Sequence, residues 1–197
     1  MDFPVRLERT EAEGVVNTAL ENGVNLFDTA DAYGTQRGEG EEILGELIKG
    51  KRDRILLATK FWVKMEDWPN RGDCSRYHII RAVEESLRRL QTDHIDLYQL
   101  HQPSKLTPVE EILSALDSLE KQGKVRYVGV CNHYAWQMAH MLGVSALGAD
   151  FLDPVPLQHA GPADRERDRS FRGTVQSGHD GLRSPRRRDP HGQVSSR

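Results

Sequence analysis

SRYHIIRAVEESLRRLQTDHIDLYQLH, residues 75–101, places a helix and a strand in the order that decides the fold. Ser75 can cap a helix whose apolar residues Ile79, Val83, Leu87 and Leu90 recur at spacings of four, four and three, which is one face of a helix. After residue 94 the period changes. A largely apolar run of strand length starts at Ile95 and closes on an ionisable residue, His101.

The same alternation extends outward in both directions. Toward the C-terminus, Thr107, Pro108 and Glu110 supply the cap, first-turn proline and capping-box acid of a helix whose core face is Ile112, Leu113, Leu116 and Leu119. Gly123 ends it, a strand is predicted over 124–131, and a last helical pattern runs over 134–142. Toward the N-terminus, Thr10 and Glu13 form a capping box for a helix with Val15, Val16, Ala19 and Leu20 on one stripe. Gly23 closes that helix and leads to a strand over 24–28. A further helix over 39–49, with Ile43, Leu44, Leu47 and Ile48 on one face, passes through Gly50 into a strand over 54–60. Strands recurring at roughly 30 to 40 residues with helices between them predict a parallel α/β architecture. An open doubly wound sheet and a closed eight-fold barrel both fit this periodicity.

Each predicted strand ends in a polar residue: Asp28, Lys60, His101 and Asn132. Taken singly, Asp28 reads as a turn cap, Lys60 as a snorkelling surface residue and His101 as a satisfied core histidine. Four in register read as a site at the carboxyl ends of parallel strands. No G-x-G-x-x-G follows any strand, which argues against a dinucleotide-binding doubly wound domain.

Residues 27–34 (FDTADAYG), 58–61 (ATKF), 95–103 (IDLYQLHQP) and 128–132 (VGVCN) resemble four successive motifs of the aldo-keto reductases, in that family's order and spacing. With the intervening helix EEILGELIKGKRD, the resemblance covers most of residues 8–142. Trp136 and Gln137 match the bacterial and potassium-channel-β-subunit-like branch. The resemblance implies a partial (β/α)8 TIM barrel with strands two to five present, bound NADPH, and a catalytic tetrad at Asp28, Tyr33, Lys60 and His101. In that scheme Tyr33 donates a proton to the carbonyl oxygen, helped by the charge of Lys60, Asp28 pairs with Lys60, and a neutral His101 orients the substrate. Asn132 would bind the nicotinamide carboxamide, Cys131 stands where the family usually has serine, and Trp62 resembles a substrate-pocket aromatic, with ordinary core packing as the alternative for it.

Composition separates the end of the chain from the rest. Of 197 residues with a net charge of −3, the first 150 carry −6 and residues 151–197 carry +3, with nine Arg against six Asp or Glu and no Lys or Ile. A segment so poor in apolar residues is predicted to be disordered. Residues 157–162, read one base later, can encode Tyr-Asn-Met-Leu-Asp-Arg, which resembles the family's continuation; a lost reading frame between residues 144 and 154 is therefore expected. Barrel strand one and the strands after the fifth are expected to be missing. Arg186, Arg187 and Arg188 have no aromatic interleaving, so no nucleic-acid partner is expected. No apolar run approaches a membrane span, no signal peptide is legible, and Cys74 and Cys131 lack metal-site or disulfide spacing, so a cytoplasmic chain with reduced thiols and no metal is expected. Two functions follow by resemblance: an NADPH-dependent oxidoreductase acting on small aldehydes or ketones, or a non-enzymatic fragment or binding subunit. The intact tetrad points to the first, the expected loss of later strands to the second.

Overall fold

The computed structural model describes residues 9–147 and 159–160, all within one unit of the chain, Met1–Ala163. Helices and strands alternate throughout: α1 (Arg9–Glu21), β1 (Leu26–Asp28), α2 (Glu39–Leu47), β2 (Leu56–Phe61), α3 (Arg76–Leu90), β3 (Ile95–Leu100), α4 (Val109–Lys121), β4 (Val125–Cys131), α5 (Ala135–Leu147) and β5 (His159–Ala160). A 3-10 turn, Arg52–Arg54, precedes β2. The strands lie in the order β1-β2-β3-β4-β5 and every pairing is parallel. This is the sequential order of a (β/α)8 barrel wall, and the expected partial barrel is therefore present.

The expected disordered segment and domain limit lie outside the described residues except at β5, where His159 pairs with Val130 and Ala160 with Cys131, so a two-residue strand stands beside barrel strand five where none was expected. The expected break in reading frame spans the end of α5 and residues beyond those described. Among the described residues, no helix is long and apolar enough to cross a membrane. Cys74 and Cys131 are buried thiols outside any disulfide.

The main core lies between the sheet and its helices. Leu57, Phe61, Tyr98, Leu100, Val128 and Val130 point from the strands into a layer formed by Ile79, Val83 and Leu90 of α3 and Ile112, Leu116 and Leu119 of α4, all nearly inaccessible. The stripes expected on α3 and α4 are therefore the packed ones. On the outer helices the structure corrects two positions. Val15 of α1 and Ile43 of α2 are half exposed, whereas Ala12 and Val16 pack with Leu47, and Leu44 and Ile48 join the main core. Caps shift as well. Ser75 caps α3, its hydroxyl accepting from the His78 N–H at 3.3 Å. α1 begins at Arg9, so Thr10 lies inside the helix, and α4 is capped by Pro108, one residue after Thr107, without a side-chain bond. Gly45 lets α2 approach α3: a Cβ there would come within 2.6 Å of the Arg89 carbonyl oxygen.

Candidate active site

Strand register builds the site. Asp28 pairs with Ala58, Lys60 with Gln99 and Gln99 with Gly129, and paired residues of parallel strands point to the same face. Asp28, Lys60, Gln99, His101 and Cys131 therefore share the face opposite the helices, at the carboxyl end of the sheet. The His101 N–H donates to the Phe61 carbonyl at 3.0 Å and extends the ladder one residue beyond β3.

Lys60 is the centre of the arrangement. Its side chain is almost wholly buried, and its ammonium donates to Asp28 Oδ2 at 2.5 Å and to the Thr29 carbonyl at 2.8 Å. The same nitrogen lies 4.9 Å from the centre of the Tyr33 ring. A buried cation is costly unless partnered, and here a carboxylate, a carbonyl dipole and the negative face of an aromatic ring surround it. Tyr33 is not on a strand. It sits on the loop after β1, its N–H donating to the Ala30 carbonyl at 3.2 Å and its carbonyl accepting from Gly40 at 2.9 Å. A Cβ at Gly40 would lie 3.1 Å from both the Tyr33 Cβ and the Tyr33 carbonyl oxygen, so the absence of a side chain there lets α2 hold this loop closely. The Tyr33 and His101 rings meet edge to face, centroids 5.9 Å apart at 83°.

Burial, and then the positive charge of Lys60, push the His101 pKa below its ordinary value, with Asp28 acting weakly the other way. At neutral pH the imidazole is neutral and keeps one ring N–H to donate. Burial pushes the Cys131 thiol up, so it stays protonated beside Lys60. Asn132 takes a left-handed conformation, φ 58°, which asparagine tolerates, and its amide donates to the His101 carbonyl at 2.9 Å. His133 Nδ1 donates to the Cys131 carbonyl at 2.7 Å, which sets the tautomer and fixes the turn after β4.

All four predicted tetrad residues are thus brought together, with Asn132 and Cys131 on the adjoining strand end. Trp62 follows β2 directly and is 36% exposed, outside the buried core. Gln99 was not singled out from sequence. Its buried amide donates to Asp28 Oδ1 at 2.9 Å, leaving Oδ2 for Lys60, so the two carboxylate oxygens have separate partners. The signal was available in IDLYQLH: a glutamine two residues before His101 faces the same side of the strand.

A model of the Aldo/keto reductase family matches residues 3–159. The chain belongs to that family. This member is 44% identical over 145 residues to the aldo-keto reductase YhdN of Bacillus subtilis, an alignment covering 71% of this chain and 42% of that protein. It is 38% identical to 6-dehydroglucose reductase of Novosphingobium aromaticivorans, over 68% of this chain and 46% of the relative. It is also 34% identical to a probable voltage-gated potassium channel subunit beta of Arabidopsis thaliana, over 78% of this chain and 45% of the relative. These are the bacterial and channel-subunit-like relatives that Trp136 and Gln137 pointed to. The chain spans less than half the length of the curated relatives it matches.

Proposed function

We propose that this chain carries the proton-delivery half of an NADPH-dependent oxidoreductase site that reduces small aldehydes or ketones to alcohols. The observation that carries the reading is the single buried ammonium of Lys60, held by Asp28 and Thr29 and lying beside the Tyr33 ring. Reduction of a carbonyl places negative charge on oxygen, and a preorganised donor backed by a fixed cation lowers the cost of that charge. Tyr33 supplies the proton and Lys60 supplies the field. Asp28, divided between Lys60 and Gln99, keeps the ammonium aimed. The neutral ring of His101 offers an N–H to the same carbonyl oxygen.

The residues at the end of β4 fit the nicotinamide end of NADPH. A carboxamide needs both donors and acceptors, and Asn132, which gives one Nδ2 hydrogen to the His101 carbonyl, has a second N–H and its Oδ1 to offer beside Cys131. A thiol is a weaker hydrogen-bonding group than a hydroxyl, so this end is held less tightly than it would be by serine. NADPH, when bound, supplies the hydride.

The test is a chimera in which residues 1–147 are followed by the remaining length of the Bacillus subtilis reductase. NADPH-dependent reduction of a small test aldehyde is expected, falling by a factor of about 100 or more in Tyr33→Phe or Lys60→Met. The 197-residue chain alone is expected to hold NADPH weakly by fluorescence titration and to turn over negligibly, because positioning supplies much of the barrier lowering. A folded chimera that binds NADPH but reduces no aldehyde or ketone would favour the second reading, a non-enzymatic binding subunit, to which the similarity to a channel subunit points.

A further inference from the structure

Below the site lies a cluster of ionisable groups that the proposed reaction does not use. Asp31, Glu41 and Tyr98 have no exposed surface, and Arg89 is 8% exposed. Glu41 of α2 is fully engaged: its Oε2 accepts from Arg89 of α3 at 2.7 Å and its Oε1 from the Thr59 hydroxyl of β2 at 2.6 Å. Asp31 has no such partner, and neither of its carboxyl oxygens makes a hydrogen bond. The Trp62 backbone N–H at the end of β2 faces it and favours its ionised form but does not meet hydrogen-bond geometry. Tyr98 of β3 lies close enough for the charge of Asp31 to act on it, with its own hydroxyl buried and unbonded. Arg37, on the exposed loop before α2, is the remaining charged group that acts on Asp31. The buried cluster therefore holds two carboxyl groups and one guanidinium, and Glu41 has taken the guanidinium. An unpaired buried carboxylate costs several kcal/mol, and a proton removes the charge and with it the larger part of that cost.

We propose that Asp31 is a neutral carboxylic acid in the folded protein and acts as a positioning residue for Tyr33, seating the loop that carries it only while the proton is in place. The main chain shows how the seat works. The Asp31 N–H donates to the Lys60 carbonyl at 3.2 Å, and the Asp31 carbonyl accepts from Gly38 at 2.8 Å, so this residue fastens the Tyr33 loop both to β2 and to the start of α2. Its side chain is enclosed beneath that fastening. Ionisation would require the carboxylate to reach water, and the loop would have to lift to allow it. In keeping with this, burial first and then the charge of Glu41 push the Asp31 carboxyl up to about 8, against the opposing pull of Trp62, Arg89 and Arg37. The effect on turnover rests on Tyr33 being the proton donor; the titration of Asp31 and the motion of the loop do not.

The test uses the full 197-residue chain with aspartate labelled at the carboxyl carbon and followed by NMR. One signal, identified by its loss in Asp31→Asn, is expected to titrate with a midpoint at about 8. In Glu41→Gln, which leaves Arg89 available to Asp31, that midpoint is expected to fall by about two pH units or more. A wild-type midpoint in the ordinary carboxylate range, or an unchanged midpoint in Glu41→Gln, overturns the protonation claim. Positioning is read by amide hydrogen exchange over residues 29–38. Between about pH 7.5 and 9 the wild-type rates should rise by more than the roughly tenfold per pH unit of base-catalysed exchange, and in Asp31→Asn the excess should vanish. Equal slopes in the two proteins overturn the positioning claim. Should Asp31→Asn fail to fold, comparison of wild type with Glu41→Gln decides both points.

Discussion

The two faces of the sheet follow different rules. On the helix side Leu57, Phe61, Tyr98, Leu100 and Val130 are 0–1% exposed, and aromatic stacking of Phe61 on Tyr98, centroids 4.6 Å apart, fills the middle of the layer. On the opposite face Leu26, Leu56 and Tyr127 are 46–54% exposed, and the buried residues near the carboxyl end are Lys60, Gln99 and Cys131. One face is packed for stability. The other buries Lys60 and Gln99 where both bond to Asp28, and its exposed apolar side chains stand in the positions that fill the interior of a closed barrel. Stability and chemistry thus alternate residue by residue along each strand, so a change of one position moves a substitution from one rule to the other.

The largest losses are expected on the helix side. Phe61→Ala should cost about 3–5 kcal/mol in urea unfolding, since it removes a fully enclosed ring from a close-packed layer. Arg89→Leu should cost a similar amount, about 3–5 kcal/mol, because it leaves Glu41 buried without its cation. If either variant unfolds at the wild-type midpoint, the helix-side layer is not the principal core. A pH experiment sharpens the same face. His78 of α3 is 1% exposed with neither ring nitrogen bonded, and burial, then Arg71, hold its pKa down at about 4 against an ordinary 6.5. The unfolded chain binds the extra proton in that window, so the stability from a neutral His78 is whole above about pH 6.5 and is lost as pH falls through about 4. Asp31 has the opposite sign: stability from its neutral form is whole below about 3.8 and is lost as pH rises through about 8. Between about pH 4 and 6.5 the two contributions oppose each other, so in the wild type their sum falls mainly between about 6.5 and 8; in His78→Gln the fall in stability with rising pH should extend down to about pH 4. The smallest effect is expected on the open face, where Leu56→Ala should change stability by less than about 1 kcal/mol. A larger loss would show that Leu56 is covered in solution.

Much of the helix-side layer was legible from period alone, because α3 and α4 are packed along a full stripe and their apolar residues recur without interruption. Val15 and Ile43 failed the same test. Both sit on flanking helices that touch the sheet along a narrower strip, and nothing local says which edge of an apolar stripe will find a neighbour. Strand ends were legible because a polar residue closes each run, which placed Asp28, Lys60, His101 and Asn132 at one end of the sheet. Tyr33 was not legible in this way: it stands on a loop with no periodic relation to any strand, and only the resemblance of FDTADAYG to a family motif indicated it. Gln99 and Asp31 depend on partners in other elements, such as Asp28 and Glu41, and so on tertiary pairings that a single strand pattern does not contain.

β1 makes only three register pairs with β2, lies at the edge of the described sheet, and carries Asp28 at its last position. One of the bonds that hold Asp28 in the tetrad is among the most distant in the sequence, with Asp28 and Gln99 separated by 71 residues. Contacts of that separation carry a large loop-closure cost and form late, whereas α3, α4 and the strands beside them can assemble from nearer partners. Fraying of these three pairs would take Asp28 away from Lys60 while leaving the pairing of β2 with β3 and of β3 with β4 in place. A population of molecules can retain nearly all of its helix and sheet while its lysine has lost its counter-charge.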